Sequence, residues 1–115
     1  MIKRYNQNNR LSQFVISGGY FESAGQVSEN HHLNTAGQTK EILAKIDSLL
    51  DLINANKSNI TRVQIWLNDM NDFDEMNAVY EKWLEKSPKP ARACVGSTLA
   101  NGYKVEIQVF GYIKS

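Results

Sequence analysis

Residues 90–109 read PARACVGSTLANGYKVEIQV, and their pattern carries most of the information about the C-terminal part of the chain. Apolar and polar side chains alternate in both of its halves, with the period of two that a half-buried β-strand requires. The pattern predicts one strand from Ala91 to Thr98 and a second from Lys104 to Tyr112. Because only a short polar connection separates them, the two strands are expected to form a hairpin.

The connection in this predicted hairpin decides which side chains share a face of the sheet. A two-residue Asn101-Gly102 turn would put Arg92 and Glu106 on opposite sides, whereas a three-residue loop beginning at Ala100 would put them together. We prefer the three-residue loop, with Gly102 left-handed at its end, because only this loop gives both strands the same buried side. The residues then expected on the non-helix face are Arg92, Cys94, Glu106 and Gln108, with Ala93, Val95, Val105 and Ile107 under the helices.

Upstream of this region, apolar residues that recur three and four apart predict two helices. The first is expected to begin at Thr35, which has capping-box spacing with Gln38. Asn71 is expected to cap the second helix, and Ser87 to Pro90 to stop it. The predicted buried stripe of the first helix is Ile42, Leu43, Ile46, Leu49, Leu50 and Ile53. The predicted buried face of the second is Phe73, Met76, Val79, Tyr80, Trp83 and Leu84.

Further strands are predicted on either side of the first helix. Phe14 to Ser17 and Tyr20 to Ala24 flank Gly18-Gly19, which predicts a tight hairpin. Ile60 to Leu67 alternates as a strand, and a short strand is expected near Ile2 to Tyr5. The order β-β-α-β-α-β-β, after that short strand, predicts a single α/β (α+β) domain over residues 1–115, a two-layer sandwich with one mixed sheet and both helices on one face.

The sheet face without helices would expose apolar side chains, since it is expected to carry Trp66, Cys94, Phe110 and Tyr112. Such a face is too apolar to remain in water, so we expect the protein to self-associate through it.

Composition excludes several classes of function. The net charge of +1, from 13 basic and 12 acidic residues, predicts neither nucleic-acid nor membrane binding. The only cysteine is Cys94, and no apolar run is long enough to span a membrane or to form a signal peptide near Met1, so we expect a cytoplasmic protein. His31-His32 could bind a metal, but no partner has recognisable ligand spacing, so no metal site is predicted.

Arg92 and Glu106 are the candidate chemical groups. An arginine presents a planar fork of donors that matches a carboxylate, and a glutamate beside a ligand can deprotonate water and return the proton. On spacing alone, the commoner role of such a pair is a salt bridge between subunits.

The same residues carry a resemblance to a known family. Residues 90–95 (PARACV), followed by residues 104–107 (KVEI), resemble the C-terminal motif of the YjgF/RidA family, also called endoribonuclease L-PSP, and the detail is similar to its YoaB-like branch. Residues 71–73 with Asn77 and Tyr80, and residues 23–26, resemble earlier parts of the family pattern. The resemblance implies a chorismate-mutase-like fold, a homotrimer with intersubunit clefts, and a hydrolase of the 2-iminobutanoate/2-iminopropanoate deaminase type that needs no cofactor.

By the same resemblance, Arg92 would bind the substrate carboxylate and Glu106 would activate water. Cys94 would line the cleft with its backbone, Gly25 would offer backbone to the ligand, and Asn77 would lie near the cleft.

Two positions of the predicted cleft depart from the family pattern. Leu11 stands where many members have an aromatic residue, and Ala24 where they have serine. A module that binds 2-keto acids or similar metabolites without catalysis therefore remains an alternative. A ribonuclease or translation inhibitor is a further alternative, which the lack of an evident basic stripe with interleaved aromatics supports poorly.

Overall fold

The computed structural model describes residues 1–114, and these residues contain one mixed sheet and two α-helices. The strands are β1 (Ile2–Gln7), β2 (Ser12–Ser17), β3 (Tyr20–Ser23), β4 (Ile60–Leu67), β5 (Ala91–Gly96) and β6 (Val105–Tyr112). The helices are α1 (Thr35–Leu52) and α2 (Phe73–Trp83), and short 3₁₀ turns at Lys57–Asn59 and Met70–Asp72 precede β4 and α2. The predicted two-layer α/β order, including the short first strand, is confirmed.

The strand order β1-β2-β3-β6-β4-β5 differs from the prediction at one decisive place. β4 lies between β5 and β6, pairing parallel with β5 and antiparallel with β6, so the predicted C-terminal hairpin is wrong. The reason is that β4, α2 and β5 form a crossover unit, which brings β5 back parallel to β4. The chain then crosses the end of β4, where Ser97 N–H donates to Leu67 O at 2.9 Å and Asn68 N–H to Lys104 O at 3.0 Å.

The turns follow the glycines. Gly18 and Gly19, with φ of 57° and 87°, form the predicted tight turn between β2 and β3. Gly102, with φ of 77°, takes the predicted left-handed conformation. It does so in the connection from β5 to β6, which crosses the end of β4, and not in a hairpin.

The core lies between the helices and one sheet face. The predicted stripe of α1 is buried throughout, and Met76, Tyr80 and Leu84 provide the most buried positions of the α2 region. On the sheet side, the fully buried residues of β4 and β6 are Val63, Ile65, Leu67, Val105, Ile107 and Val109. Both hydrophobic periodicities of the sequence therefore meet in this one layer.

The capping residue predicted for each helix is wrong. Asn34 caps α1, because its side-chain oxygen accepts the Gly37 N–H at 2.8 Å. Gln38 is buried and instead bonds Lys104 N–H at 2.9 Å, which ties α1 to the start of β6. Asn71 lies in the 3₁₀ turn before α2, where Asp69 accepts its N–H at 2.9 Å.

The face of the sheet that the helices leave uncovered, here called the open face, carries several aromatic and apolar side chains. Tyr20 and Tyr112 are exposed there and pack together with ring centroids 5.0 Å apart, and the pairing pattern adds Trp66, Val95 and Phe110. Cys94 does not belong to it, contrary to the prediction. No helix within residues 1–114 has the length and apolarity needed to cross a membrane.

Candidate functional site

Glu106 lies near the start of β6, in the interior of the sheet and on the open face. It pairs with Trp66 of β4, and the segment after β3 runs along its other side. That segment is fixed by two backbone hydrogen bonds, from Gln26 N–H to Ile107 O at 2.7 Å and from Ile107 N–H to Gln26 O at 3.0 Å. Strand pairing on both sides therefore fixes the backbone that carries the Glu106 carboxylate.

Gly25 makes room for this carboxylate. A Cβ atom built on Gly25 would lie only 2.0 Å from Glu106 Oε2, far inside van der Waals contact. Any larger residue at position 25 would displace the carboxylate. Glycine here serves close approach rather than an unusual φ.

Burial raises the pKa of the Glu106 carboxyl. Removing water penalises the charged form, so the carboxylate holds a proton more tightly than an exposed glutamate does. A carboxylate in this environment is better matched to proton transfer near neutral pH.

Arg92 lies on β5, at the edge of the sheet. Its Nη1 donates to Asn77 Oδ1 at 2.5 Å. The guanidinium lies over two rings of α2, with its carbon 5.0 Å from the Tyr80 centroid and 5.7 Å from that of Phe73. The α2 side chains hold the guanidinium, while its exposed position leaves further N–H donors free for an anion.

Cys94 follows Arg92 by two residues and packs against the core beside Ile65. Burial raises the pKa of its thiol, and the Arg92 guanidinium only partly offsets this increase. A thiol with a raised pKa is a poor nucleophile at neutral pH.

The structure places Arg92 and Glu106 on opposite faces of the sheet, and the prediction that they share a face is wrong. Residues paired across strands point to the same side, and Arg92 pairs with the buried Val63, whereas Glu106 pairs with Trp66 on the open face. For the same reason, Ala93 and Val95 do not lie under the helices. Arg92 tolerates the helix side because it sits at the edge strand, where the Phe73 and Tyr80 rings pack against its guanidinium and the residue remains exposed to water.

Most of the remaining predicted site residues lie either with Arg92 or with Glu106. Asn77 and Cys94 accompany Arg92 on the helix side. Gly25 adjoins Glu106, and Ala24 precedes it, with its N–H donating to Gln13 O at 2.9 Å. Leu11 lies just before β2 and is exposed.

Sequence reasoning missed two features of this site. Phe73 and Tyr80 were assigned only to the core, although with Asn77 they lie four and three residues apart and form the platform under Arg92. Tyr103 was not considered, yet its hydroxyl donates to Glu29 Oε2 at 3.2 Å near Glu106. Burial raises the pKa of the Tyr103 phenol, and the Glu29 and Glu106 carboxylates raise it further.

Within residues 1–114, no group of three or more histidine, cysteine, aspartate or glutamate side chains could hold a metal ion. His31 packs edge-on against the Tyr103 ring, with centroids 4.8 Å apart.

Comparison with known proteins gives a consistent result. Residues 1–113 match the family model described as Endoribonuclease L-PSP. A RutC family protein from Haemophilus influenzae is 41% identical over 110 residues, covering 94% of this chain and 95% of its own length. The RutC family protein YoaB from Escherichia coli is 37% identical over 109 residues, with coverage of 94% and 95%. Among solved structures, a YjgF family member from Neisseria meningitidis has a TM-score of 0.94 at 34% identity, covering 100% of this chain and 97% of that one.

Proposed function

Because the chain belongs to the endoribonuclease L-PSP family, which includes the RutC and YjgF proteins, we propose that it is a homotrimeric deaminase. It hydrolyses reactive 2-imino acids to 2-keto acids and ammonia, with substrates of the 2-iminobutanoate and 2-iminopropanoate type. We propose the cytoplasm as its location. The reaction uses only water besides the imine and needs no cofactor.

One observation carries this proposal: a free arginine fork and a partly buried carboxylate of raised pKa lie on opposite faces of one sheet. A single chain cannot bring both groups to one small substrate. Two chains can, if the β5 edge of one approaches the open face of the other. The apolar character of the open face supports such an approach, since it gives the face a reason to be covered.

In the proposed cleft, Arg92 of one chain binds the substrate carboxylate, and Asn77 orients the guanidinium. The backbone at Cys94 lines the same side. Glu106 of the neighbouring chain faces the imine carbon, with Gly25 offering backbone beside it, and Ala24 and Leu11 border the substrate.

The reaction then proceeds in two steps. Water adds to the imine carbon while Glu106 takes its proton, and solvent supplies a proton to the imine nitrogen, giving a carbinolamine. The carbinolamine collapses as its hydroxyl proton passes to solvent, the C–N bond breaks, and Glu106 returns its proton to the departing ammonia. The sum is imine plus water to 2-keto acid plus ammonia, and general acid–base help of this kind contributes about 10²- to 10⁴-fold.

Co-assembly of two inactive variants tests the shared cleft. Arg92→Ala and Glu106→Gln chains, each inactive alone, are co-expressed with different tags, and mixed assemblies are purified through both tags. If each cleft takes Arg92 and Glu106 from different chains, about a third of the clefts in the purified mixed trimers hold both groups. Imine hydrolysis, measured as 2-keto acid release, should reappear in the mixed assemblies. No recovery in verified mixed assemblies contradicts the shared site.

A second candidate is a 2-keto acid-binding module without catalysis. The side chains of Leu11 and Ala24 offer the proposed cleft no hydrogen-bonding group, which favours binding over turnover. An assay with freshly generated 2-iminopropanoate separates the two candidates: turnover supports the deaminase, while pyruvate binding without turnover supports the module.

A further inference from the structure

The segment between β3 and α1 is held against the sheet by a set of polar side chains on α1. Lys45 Nζ donates to Val27 O at 2.6 Å. Glu41 accepts twice, from Ser28 Oγ at 3.0 Å and from Asn30 Nδ2 at 2.7 Å. Because Glu41 and Lys45 are four residues apart, they lie on the same side of α1 and contact one short stretch of chain. We call these two residues the α1 clamp.

Residues 26–30 are also fixed on the side that faces the sheet. Ser28 is fully buried, and Gln26 is nearly so. Gln26 Nε2 donates to Gln13 Oε1 at 2.8 Å, and its backbone pairs with Ile107 of β6. Residues 26–30 are therefore held by polar contacts to α1, β2 and β6, more contacts than are needed simply to connect β3 to α1.

Gly25 lies at the start of this segment, directly against the Glu106 carboxylate. Its closeness excludes water from one side of that carboxylate. If residues 26–30 moved away from β6, Gly25 would move with them and water would reach Glu106.

We infer that Glu41 and Lys45 are positioning residues for Glu106: by holding residues 26–30 against β6, they keep Gly25 on the carboxylate and shield it from water. Neither residue touches the substrate. The inference builds on the proposed function, since it assigns to these residues the environment of the proposed base.

Other charged groups near the two carboxylates have to be separated from this effect. Tyr103 and Glu29 lie on the Glu106 side, and neither belongs to the clamp. β4 faces Glu106 with Trp66, which carries no charge. Hydrogen bonds from Asn30 and Ser28 lower the pKa of Glu41, and Lys45 and His32 add to this, so Glu41 remains ionised at neutral pH.

The experiment compares the variants Glu41→Gln and Lys45→Met with a control, Asp51→Asn, which removes an exposed carboxylate from the same helix. The Glu106 carboxyl is followed by ¹³C NMR during a pH titration of the assembled protein without substrate, with assignment from Glu106→Gln. Both clamp variants should lower the Glu106 pKa by about 0.5 unit, within the spread of roughly one unit seen for glutamate in folded proteins. The control should leave it unchanged.

Imine hydrolysis gives a second readout. In both clamp variants, the acid limb of the profile of kcat/KM against pH should move to lower pH by the same amount. A purely structural loss would lower kcat/KM at every pH without moving the limb. Thermal unfolding identifies any variant that fails to fold, and the other variant then decides.

A Glu106 titration unchanged in a folded clamp variant overturns the inference. If the unmodified protein hydrolyses no imine, the proposed function fails, and the NMR titration still decides whether the clamp shields Glu106. The two failures are thus distinguishable.

Discussion

Strands β5 and β6 are both neighbours of β4, yet they provide very different surroundings for a functional side chain. β6 is paired on both sides, and its buried and half-buried residues alternate, with Glu106 on the open face. β5 is paired on one side only and is largely exposed, with Arg92 on the helix side. The interior strand gives a carboxylate partial burial and a raised pKa. The edge strand gives an arginine access to solvent over a platform of rings.

The two groups suit different tasks. Partial burial makes a carboxylate a stronger base, whereas a cation that must capture a free anion benefits from exposure. Because the two environments lie on opposite faces, one chain holds both groups without joining them. In the proposed function, association of chains completes the site.

The largest expected effect comes from the interior strand. Glu106→Gln keeps the shape of the side chain but removes the base, so kcat should fall by about 10²- to 10⁴-fold while pyruvate affinity is retained. Steady-state kinetics and calorimetric titration measure the two quantities. Glu85→Gln, an exposed position after α2, is the control. A normal kcat would mean that another group activates the water.

The same variant has a consequence for stability. Because the folded-state pKa of Glu106 is raised, the folded protein binds this proton more tightly than the unfolded chain, and stability declines as pH rises from the unfolded to the folded pKa. Glu106→Gln removes that loss, so its thermal midpoint at neutral pH should be no lower than that of the unmodified protein. A lower midpoint would contradict the unfavourable burial of the charge.

A smaller effect is expected at the edge strand. Arg92→Lys keeps the charge but loses the planar fork, so kcat/KM should fall about 10- to 100-fold, the equivalent of one charge-assisted hydrogen bond. Most of the change should appear in KM, because the arginine contacts the carboxylate in ground state and transition state alike. Arg10→Lys, on the exposed β1–β2 turn, is the control. Unchanged kinetics would remove Arg92 from the anion site.

The smallest effect is expected at the residue that orients this arginine. Asn77→Ala removes the acceptor for Arg92 Nη1 but leaves the two rings in place, so KM should rise about threefold to tenfold with little change in kcat. The control is Asn71→Ala, an exposed asparagine just before α2. An effect as large as that of Arg92→Lys would mean that Asn77 contacts the substrate itself.

The sequence predicted the elements of the fold well, because each depends on local pattern. The stripe of α1 from Ile42 to Ile53 and the alternation of Val63, Ile65 and Leu67 reflect which side chains are buried. The Gly18-Gly19 turn was equally clear, since both positions take a positive φ. The cap of α1 was missed by one residue, because Asn34 and Thr35 are both suitable capping residues and the sequence does not separate them.

The neighbours of β5 could not be predicted in this way. A period of two states which residues of one strand share a face, but it does not state which strand lies next to it. In β5 the alternation sets Arg92 and Cys94 against Ala93 and Val95, and neither set is clearly polar or apolar. The facing of β5 is decided by the Phe73 and Tyr80 rings of α2, which are close to Arg92 only in the folded chain. The site residues predicted from the family resemblance therefore stand as proposals, while their grouping on one face is corrected.

β1 and β5 are the two edge strands of the sheet, and each has one row of backbone hydrogen-bonding groups that a strand of another chain could pair with. β1 carries Lys3 and Arg4, whose adjacent charges point to opposite faces, and β5 is bounded by Pro90 and Gly96. Charged, short and interrupted margins discourage the indefinite addition of strands that leads to fibrils. The sheet can therefore have two unpaired edge strands without adding strands of other chains indefinitely.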